Sequence, residues 1–230
     1  MNRLEHTFHV KFLDFPDLSP RLLAFTGDLE LNVPFRLEME ISLSAQELSK
    51  IDRKKLLGTD ASLSIYDSEH SEKDKHHSAH FIKWCGKIAK IQLIRSYLDS
   101  IFILITLESA LGALSSLIQN RLYLGKTGPD IVKECLTAEG LVPESILDFS
   151  LDRGAYPKRE FLLSKNEETL DFALFNLGRD GVSFFSTWNG EEERIVFCDS
   201  NTSFIPIMDG DEELEFRVSD PSGLAPNKEP

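Results

Sequence analysis

One long alternating segment places the strongest constraint on the fold of this chain. Six apolar residues occupy every second position of it: Val33, Phe35, Leu37, Met39, Ile41 and Leu43. Arg36, Glu38 and Glu40 lie between them. Because successive side chains of a β-strand point to opposite faces, the alternation predicts a long strand with one face in a core. The other face meets water or a partner, as antiparallel sheets allow.

The first half of the chain carries further strand signals. Strands are predicted at four more places: His6 to Leu13, Ala61 to Tyr66, Phe81 to Leu98, and Ile101 to Leu107. A turn at Asp99-Ser100 joins the last two. Ser44 and Glu47 have the spacing of a capping box, which predicts a short helix over residues 47–52. The polar segment 67–80 is predicted to be an exposed hairpin tip, so this half is nearly all β.

Helix signals begin after residue 108. Residues 110–118 are helix-like. Thr127-Gly-Pro-Asp130 supplies an N-cap, an early proline and a first-turn carboxylate for a second helix, which Gly140 closes. A strand is predicted over residues 159–163, and Ser164 with Glu167 is predicted to form a capping box for a third helix. The core face of this helix follows from its i, i+3, i+4, i+7 spacing: Leu170, Ala173, Leu174 and Leu177.

The end of the sequence returns to β signals. Gly181 can provide the left-handed exit of the third helix. A hairpin is predicted from residues 182–188 and 194–198, with its tight turn at Asn189-Gly190, because both residues tolerate positive φ. One more strand is predicted at Leu214 to Val218, before a tail that has proline and glycine but no apolar period.

Composition excludes several classes of function. The formal net charge of −13 argues against binding to nucleic acid or to an anionic membrane, because both need clustered Lys and Arg. The longest apolar runs are too short to span a bilayer, and the N-terminus does not resemble an export signal, so we expect the chain to start in the cytoplasm. Cys85, Cys135 and Cys198 lack metal-binding or redox spacing and are predicted to be buried, reduced thiols.

No candidate chemistry organises the sequence. His76 and His80, with His70 and His77 nearby, have ligand spacing, but their polar surroundings favour a solvated loop over a metal site. The acidic clusters Glu191-Glu192-Glu193 and Asp209 to Glu215 are expected to stay ionised in water, unlike a catalytic acid. Aromatic residues in the strands are expected to be core: Trp84, Tyr97, Phe184, Phe185 and Trp188. We therefore predict no catalytic residue, no metal and no cofactor.

Several short motifs occur in a fixed order along residues 5–218. They are Leu56-Leu57-Gly58, Trp84-Cys85-Gly86-Lys87-Ile88, Leu107 to Leu111, Asn120 to Tyr123, Thr127 to Val132, Tyr156 to Phe161, Glu167 to Thr169 with Phe172, and Gly181 to Phe185. In this order they resemble the N-terminal part of the VgrG and phage baseplate-hub family, the spike proteins of type VI secretion systems and contractile phage tails. Ser109, Ser164, Lys165 and Asp180 depart from the residues usual in that family.

The resemblance implies a fold and a domain layout. The fold is α+β and mainly β, an antiparallel β-barrel followed by a small α/β accessory domain, as in phage tail hubs. Residues 1–109 correspond to the first, tube-type barrel and residues 110–204 to the inserted accessory domain. Residues 205–230 correspond to a linker and the first strand of a truncated second barrel.

The resemblance also implies a structural function and its partners. In the full-length protein, a homotrimer forms a pseudo-sixfold adaptor between the hexameric tail tube and the spike, with baseplate proteins and secreted effectors as further partners. It assembles in the cytoplasm and is delivered outside the cell on contraction. A secretion spike and a prophage or phage baseplate hub both fit. Because half of the ring-forming surface is absent here, we expect the isolated chain to associate weakly.

The outward positions of the long strand are the candidate interface. Arg36, Glu38 and Glu40 are polar, alternate residues of a barrel strand, the kind of position that contacts a neighbouring subunit or the tube. An ordinary solvated face is the competing interpretation. A function of another class, a carbohydrate-binding or hydrolytic β-sandwich, would use the strand aromatics and the acidic clusters instead.

Overall fold

The computed structural model describes residues 6–49, 53–67, 81–152, 156–189 and 192–204. The chain divides into two compact units, Met1–Ser200 and Asn201–Pro230. The described part of the second unit consists of residues 201–204, which include the 3-10 turn Asn201–Ser203. All the described strands and α-helices belong to the first unit.

The first half of this unit is a six-stranded sheet. Its strands are β1 His6–Phe12, β2 Arg21–Asp28, β3 Arg36–Ser44, β4 Asp60–Asp67, β5 Phe81–Tyr97 and β6 Ser100–Glu108. They lie in the order β1-β4-β5-β6-β3-β2, and every neighbouring pair is antiparallel. The β5–β6 hairpin is confirmed, with Tyr97 paired to Ser100 across its turn.

The long alternating strand forms as the sequence predicts. Four inward residues of β3 are buried: Leu37, Met39, Ile41 and Leu43. The short helix α1, Ala45–Ser49, follows directly. The carboxylate of Glu47 accepts a hydrogen bond from the Ser44 N–H at 3.1 Å, which confirms the capping pair. The helix begins two residues earlier than predicted.

The sheet curls into a half-barrel around the first core. Its two edge strands meet through their side chains, because the rings of Phe8 on β1 and Phe25 on β2 have centroids 5.9 Å apart. The predicted barrel is therefore present as a curled sheet that is open between β1 and β2. The most deeply buried residues of this first core include Phe12, Met39, Ile41, Leu56, Leu63, Ile88, Ile103, Ile105 and Leu107.

The second half of the unit combines helices with two small sheets. Its elements are β7 Ile118–Lys126, α2 Gly128–Thr137, β8 Leu147–Ser150, β9 Arg159–Glu168, α3 Thr169–Asp180, β10 Ser183–Asn189 and β11 Glu192–Cys198. Strands β7 and β9 pair antiparallel. Strand β11 pairs antiparallel with β10 and parallel with β8. Two 3-10 turns, Ala110–Ser116 and Glu144–Ile146, connect these elements.

Helices α2 and α3 cover a second core. The predicted cap of α2 is confirmed, because Thr127 accepts from the Asp130 N–H while the Asp130 carboxylate accepts from the Thr127 N–H. Gly181 ends α3 with a φ of 69°, as predicted. Buried members of this core include Leu114, Tyr123, Ile131, Val132, Leu136, Ala173, Leu177, Phe184, Ile195 and Phe197.

Two helix predictions need correction. The segment from Ala110 is a 3-10 turn that ends at Ser116, and Ile118 already begins β7. The capping box at Ser164 and Glu167 is wrong, because both residues lie within β9 and pair with β7. The backbone hydrogen bonds of the ladder satisfy groups that a local cap would otherwise satisfy, so the strand continues to Glu168.

Some strands lack a readable signal in the sequence. Strand β2 exposes all but one of its eight residues, so it has no apolar alternation, and β8 is only four residues long. In the last hairpin, Asn189 pairs with Glu192 and therefore belongs to β10 rather than to the turn. The predicted strand at 214–218 lies outside the described residues. The predicted boundaries at 109 and 204 remain predictions.

Candidate assembly surface and the junction between the two cores

The three predicted interface residues lie together on the outer face of β3. The side chain of Arg36 is 55% exposed, and those of Glu38 and Glu40 are 39% and 32% exposed. An Arg36 Nη2–Glu38 Oε1 distance of 3.3 Å joins the first two, and Arg36 also lies 3.5 Å from Glu108 Oε1. Such exposed ion pairs contribute little stability, so a partner can replace them at small cost.

A basic row that sequence reasoning missed lies across the same face. The register places Lys90 opposite Thr106 and Arg95 opposite Phe102, two strands away from the acids of β3. The Arg95 guanidinium lies 4.3 Å above the Phe102 ring and 3.9 Å from the Glu40 carboxylate. The pairing register of β5 is irregular near residues 89 and 94, so the positions that face outward shift along the strand. A search for simple alternation therefore misses this row.

The β10–β11 hairpin joins the second half of the unit to the half-barrel. The indole N–H of Trp188 on β10 donates to the Cys85 carbonyl of β5 at 2.9 Å. Its ring packs edge-on against Phe35 and Trp84, with centroids 5.3 and 6.5 Å away. A partly buried indole whose N–H is satisfied is a strong anchor, so this contact holds the hairpin on the first core.

The motif around Gly86 has a packing reason. A Cβ at Gly86 would lie 2.4 Å from the Glu108 carbonyl oxygen and 2.6 Å from the Phe35 ring. Only glycine lets β5 pass this close, next to the carbonyl that receives Trp188. The expectation that strand aromatics are core is confirmed for Trp84 and Phe184, which are buried, but it is wrong for Tyr97, which is 69% exposed.

A second contact at the junction involves Asn32. Its backbone N–H donates to the Phe184 carbonyl at 2.9 Å, and its side-chain oxygen accepts from the Phe184 N–H at 2.9 Å. Asn32 has a φ of 66°, the left-handed conformation that asparagine tolerates better than most residues. The loop before β3 is therefore tied directly to β10.

A buried carboxylate completes the junction. Glu193 on β11 is 6% exposed; its Oε2 accepts from the Ala110 N–H at 2.8 Å and its Oε1 from the Ser186 hydroxyl at 2.7 Å. Burial raises the pKa of Glu193, although hydrogen bonds from Ser109, Ala110 and Ser186 and the charge of Lys87 oppose that rise. The expectation that this cluster lies in water is wrong for Glu193, which is buried.

Beside Glu193 lies a cavity of about 320 Å³. Its lining includes Asp60, Lys87, Ser145 and Glu192. The Lys87 Nζ–Asp60 Oδ1 distance is 2.9 Å, so these two charges largely neutralise each other. Glu193 accepts two hydrogen bonds from the junction, so this carboxylate has a structural role there. In the sequence, the alternation of β11 is the signal that one acid of the cluster Glu191-Glu192-Glu193 points inward.

The three thiols are buried and form no disulfide bond, as the sequence predicts. Burial raises the pKa of the Cys135 and Cys198 thiols. Gln119 Nε2 lies 2.9 Å from the Cys135 sulfur, and the nearby Tyr123 has its pKa raised, chiefly by burial. Thiols of this kind react slowly, since the thiolate is the nucleophile.

Candidate metal clusters and membrane-spanning helices are both absent from the described ranges. No group of three or more His, Cys, Asp or Glu residues within these ranges could hold a metal ion. The histidines at 70, 76, 77 and 80 and the acidic run 209–215 lie outside them. None of the described helices combines the length and apolar character that crossing a membrane requires.

The curled antiparallel half-barrel sheet of this mainly β chain is consistent with the fold of phage tail hubs, which are structural components. A sequence model of the phage tail baseplate hub (GPD) family matches residues 30–227. The chain therefore belongs to this family. Comparison with curated protein sequences finds no significant match.

Solved structures share this fold. One is the E. coli c3393 protein, a component of the type VI secretion system with structural similarity to T4 bacteriophage tail proteins gp27 and gp5; its TM-score is 0.70 at 22% identity, over 86% of this chain and 50% of that one. Another is the lidded Francisella PdpA-VgrG complex, with a TM-score of 0.54 at 14% identity, over 94% of this chain and 32% of that one. The chain thus spans half or less of these relatives.

Proposed function

We propose that the protein acts as the hub of a contractile injection machine of the type VI secretion kind. In this role, three copies of the full-length protein form an adaptor between the hexameric tail tube and the spike. The observation that carries the proposal is the family match over residues 30–227, and the half-barrel sheet is consistent with the hub fold. The role is mechanical and needs no catalytic residue.

Symmetry explains why such an adaptor has two barrels in each subunit. A trimer meets a six-subunit ring without gaps only if each copy presents two equivalent tube-type surfaces. The half-barrel within residues 1–109 supplies one surface. In the proposed layout, residues 110–204 form the accessory domain, and the second barrel begins within residues 205–230.

A secretion spike is preferred over a phage hub because of the comparison with solved structures. The TM-score of 0.70 belongs to a type VI secretion component, although the matching family is described by its phage members. The proposed partners are the tail-tube protein, baseplate proteins and secreted effectors. The hub would be assembled inside the cell and delivered outward when the machine contracts. A phage baseplate hub is the alternative. Binding to the tube protein of a type VI system or to that of a phage tail distinguishes the two.

The outer face of β3 is the proposed contact with the tube or a neighbouring subunit. Arg36, Glu38 and Glu40 are exposed and paired only across short distances on their own face. Complementary charges give specificity and register to an interface more than they give affinity. A charge reversal on this face is therefore expected to impair docking while the fold remains intact.

The test is co-assembly with a tail-tube protein. The purified chain is mixed with the tube protein of a type VI system or, in parallel, of a phage tail, and the complex is measured by sedimentation. The triple variant Arg36→Glu, Glu38→Lys, Glu40→Lys is compared with a control triple on exposed residues elsewhere. The control is Lys11→Glu, Asp14→Lys, Asp17→Lys, which changes the net charge equally.

Three outcomes are informative. Tube binding by the wild type and the control, but not by the β3 variant, supports both the hub function and its surface. Binding by all three proteins would show that the β3 surface is not the contact, while the hub function would still be supported. If no tube protein binds and the chain binds or hydrolyses glycans instead, the hub function is wrong.

A further inference from the structure

The two-stranded sheet β7–β9 exposes an apolar face. Its outward side chains are all more than half exposed: Ile118 58%, Leu122 55%, Leu124 60%, Phe161 68% and Leu163 52%. The register places Leu122 opposite Leu163 and Leu124 opposite Phe161, so four of them form one continuous patch. The four side chains of this patch together expose roughly 400 Å² of apolar surface, within the range of the largest patch that a soluble monomer leaves uncovered.

This apolar face is rigidly supported from behind. The inward residue Tyr123 is buried and stacks on Phe172 of α3 with centroids 5.7 Å apart. The backbone of the sheet is fixed by the β7–β9 ladder. A partner would therefore not have to pay for ordering the face, which favours binding.

A second apolar feature is the tip of the β5–β6 hairpin. Two-residue hairpin turns usually carry Asn, Asp or Gly, but Leu98 stands here with 98% exposure, next to Tyr97 with 69%. Leu93 and Ile94 lie lower on β5 and are about half exposed. The tip is held in place, because the Ala45 N–H donates to the Asp99 carbonyl at 2.9 Å.

The tip and the apolar face are two exposed apolar patches of different shape. One is a narrow projection and the other a flat sheet. Together they expose at most roughly 1,000 Å² of apolar surface, the lower limit for a specific interface, so a contact between them is weak in the isolated chain. The exposed Asp99 adjoins Leu98 at the tip, and the exposed Lys165 lies two residues from Leu163 on the face, which also carries the exposed Glu168 opposite Ile118.

We propose that the β5–β6 tip of one copy packs on the β7–β9 face of the next copy. This inference rests on the proposed function, in which three copies form a ring. A threefold ring requires head-to-tail contacts between two different patches, whereas a patch that binds itself closes after two copies. The tip and the face are two different patches of the kind that such a ring needs.

Cysteine cross-linking between two single variants tests the contact. Leu98→Cys and Leu163→Cys are made in separate chains, so a disulfide between them can only join two copies. The native cysteines are buried and do not interfere. Mild oxidation of an equal mixture is expected to give dimer roughly tenfold faster than a control mixture, because contact raises the effective concentration of the thiols.

The control mixture combines Leu98→Cys with Leu57→Cys, whose native leucine is 48% exposed and lies outside both patches. Fluorescence of the two tryptophans verifies that every variant is folded. Equal rates in the two mixtures would overturn the proposal, as would dimer formation by Leu163→Cys alone at the rate of the mixture. If cross-linking fails while the chain still binds the tube, only the contact is wrong; if it succeeds without tube binding, the hub function fails.

Discussion

Replacement of Glu193 tests whether the junction holds the two cores together. In Glu193→Ala, the Ala110 N–H loses its acceptor at 2.8 Å, and the Ser186 hydroxyl loses its acceptor at 2.7 Å. An unsatisfied buried donor costs about 1–3 kcal/mol. The adjacent cavity lets water reach part of the site, so we expect a loss of about 2 kcal/mol in the free energy of unfolding. In a chain of this size that corresponds to a fall in Tm of roughly 4–8 °C.

The isosteric variant Glu193→Gln separates the hydrogen bonds from the charge. Its amide oxygen can accept from Ala110 and its amide nitrogen can donate to Ser186, so the geometry is retained. Burial raises the pKa of Glu193 in the folded state, so the folded protein binds the proton more tightly than the unfolded chain. The resulting stabilisation is complete below the ordinary carboxyl pKa and is lost as pH rises through the folded-state pKa.

Relative to wild type, Glu193→Gln should therefore gain stability as pH rises above the ordinary carboxyl range and then level off. Unfolding in urea is followed through the fluorescence of Trp84 and Trp188, the second of which pairs with Glu193 across the hairpin. Each unit of pKa shift corresponds to about 1.4 kcal/mol between the two plateaus. A constant difference from pH 4 to pH 8 would refute the reasoning, because it would mean that burial does not perturb this carboxyl.

Two further predictions concern the second core. Gly128→Ala should cost about 3 kcal/mol, because its Cβ would lie 1.5 Å from Asp180 Oδ2 and would displace the carboxylate from Arg159, 2.9 Å away. Urea unfolding should also show that the change costs little more once Asp180→Ala is present; additive losses would contradict this. The thiols of Cys85, Cys135 and Cys198 should react with a thiol reagent only after denaturant is added, and fast modification of the native chain would count against their burial.

The sequence predicts the parts of the fold that follow from local periodicity. The alternation in β3 and the cap at Thr127 both persist in the structure, because each depends on interactions within a few residues. The capping box at Ser164 fails because pairing of β9 with a distant strand supplies stronger backbone hydrogen bonds. Local rules cannot weigh a partner that is about 40 residues away in the chain.

For a similar reason, only part of the candidate surface could be predicted from the sequence. Arg36, Glu38 and Glu40 stand out because β3 alternates without interruption. Arg95 reaches the same face only because β5 has irregular register, which no local pattern announces. The inward orientation of Glu193 follows the alternation of β11, but its burial depends on the distant 3-10 turn that begins at Ala110.

The junction also decides whether the proposed ring can form. The β5–β6 tip belongs to the first core and the β7–β9 face to the second, so the angle between the two patches is set by the hairpin that carries Trp188 and Glu193. Loosening this hairpin would leave both patches intact but would misalign them. We therefore expect Glu193→Ala to slow cross-linking between Leu98→Cys and Leu163→Cys, although neither cysteine touches Glu193. Unchanged cross-linking would show that the contact forms without a rigid junction.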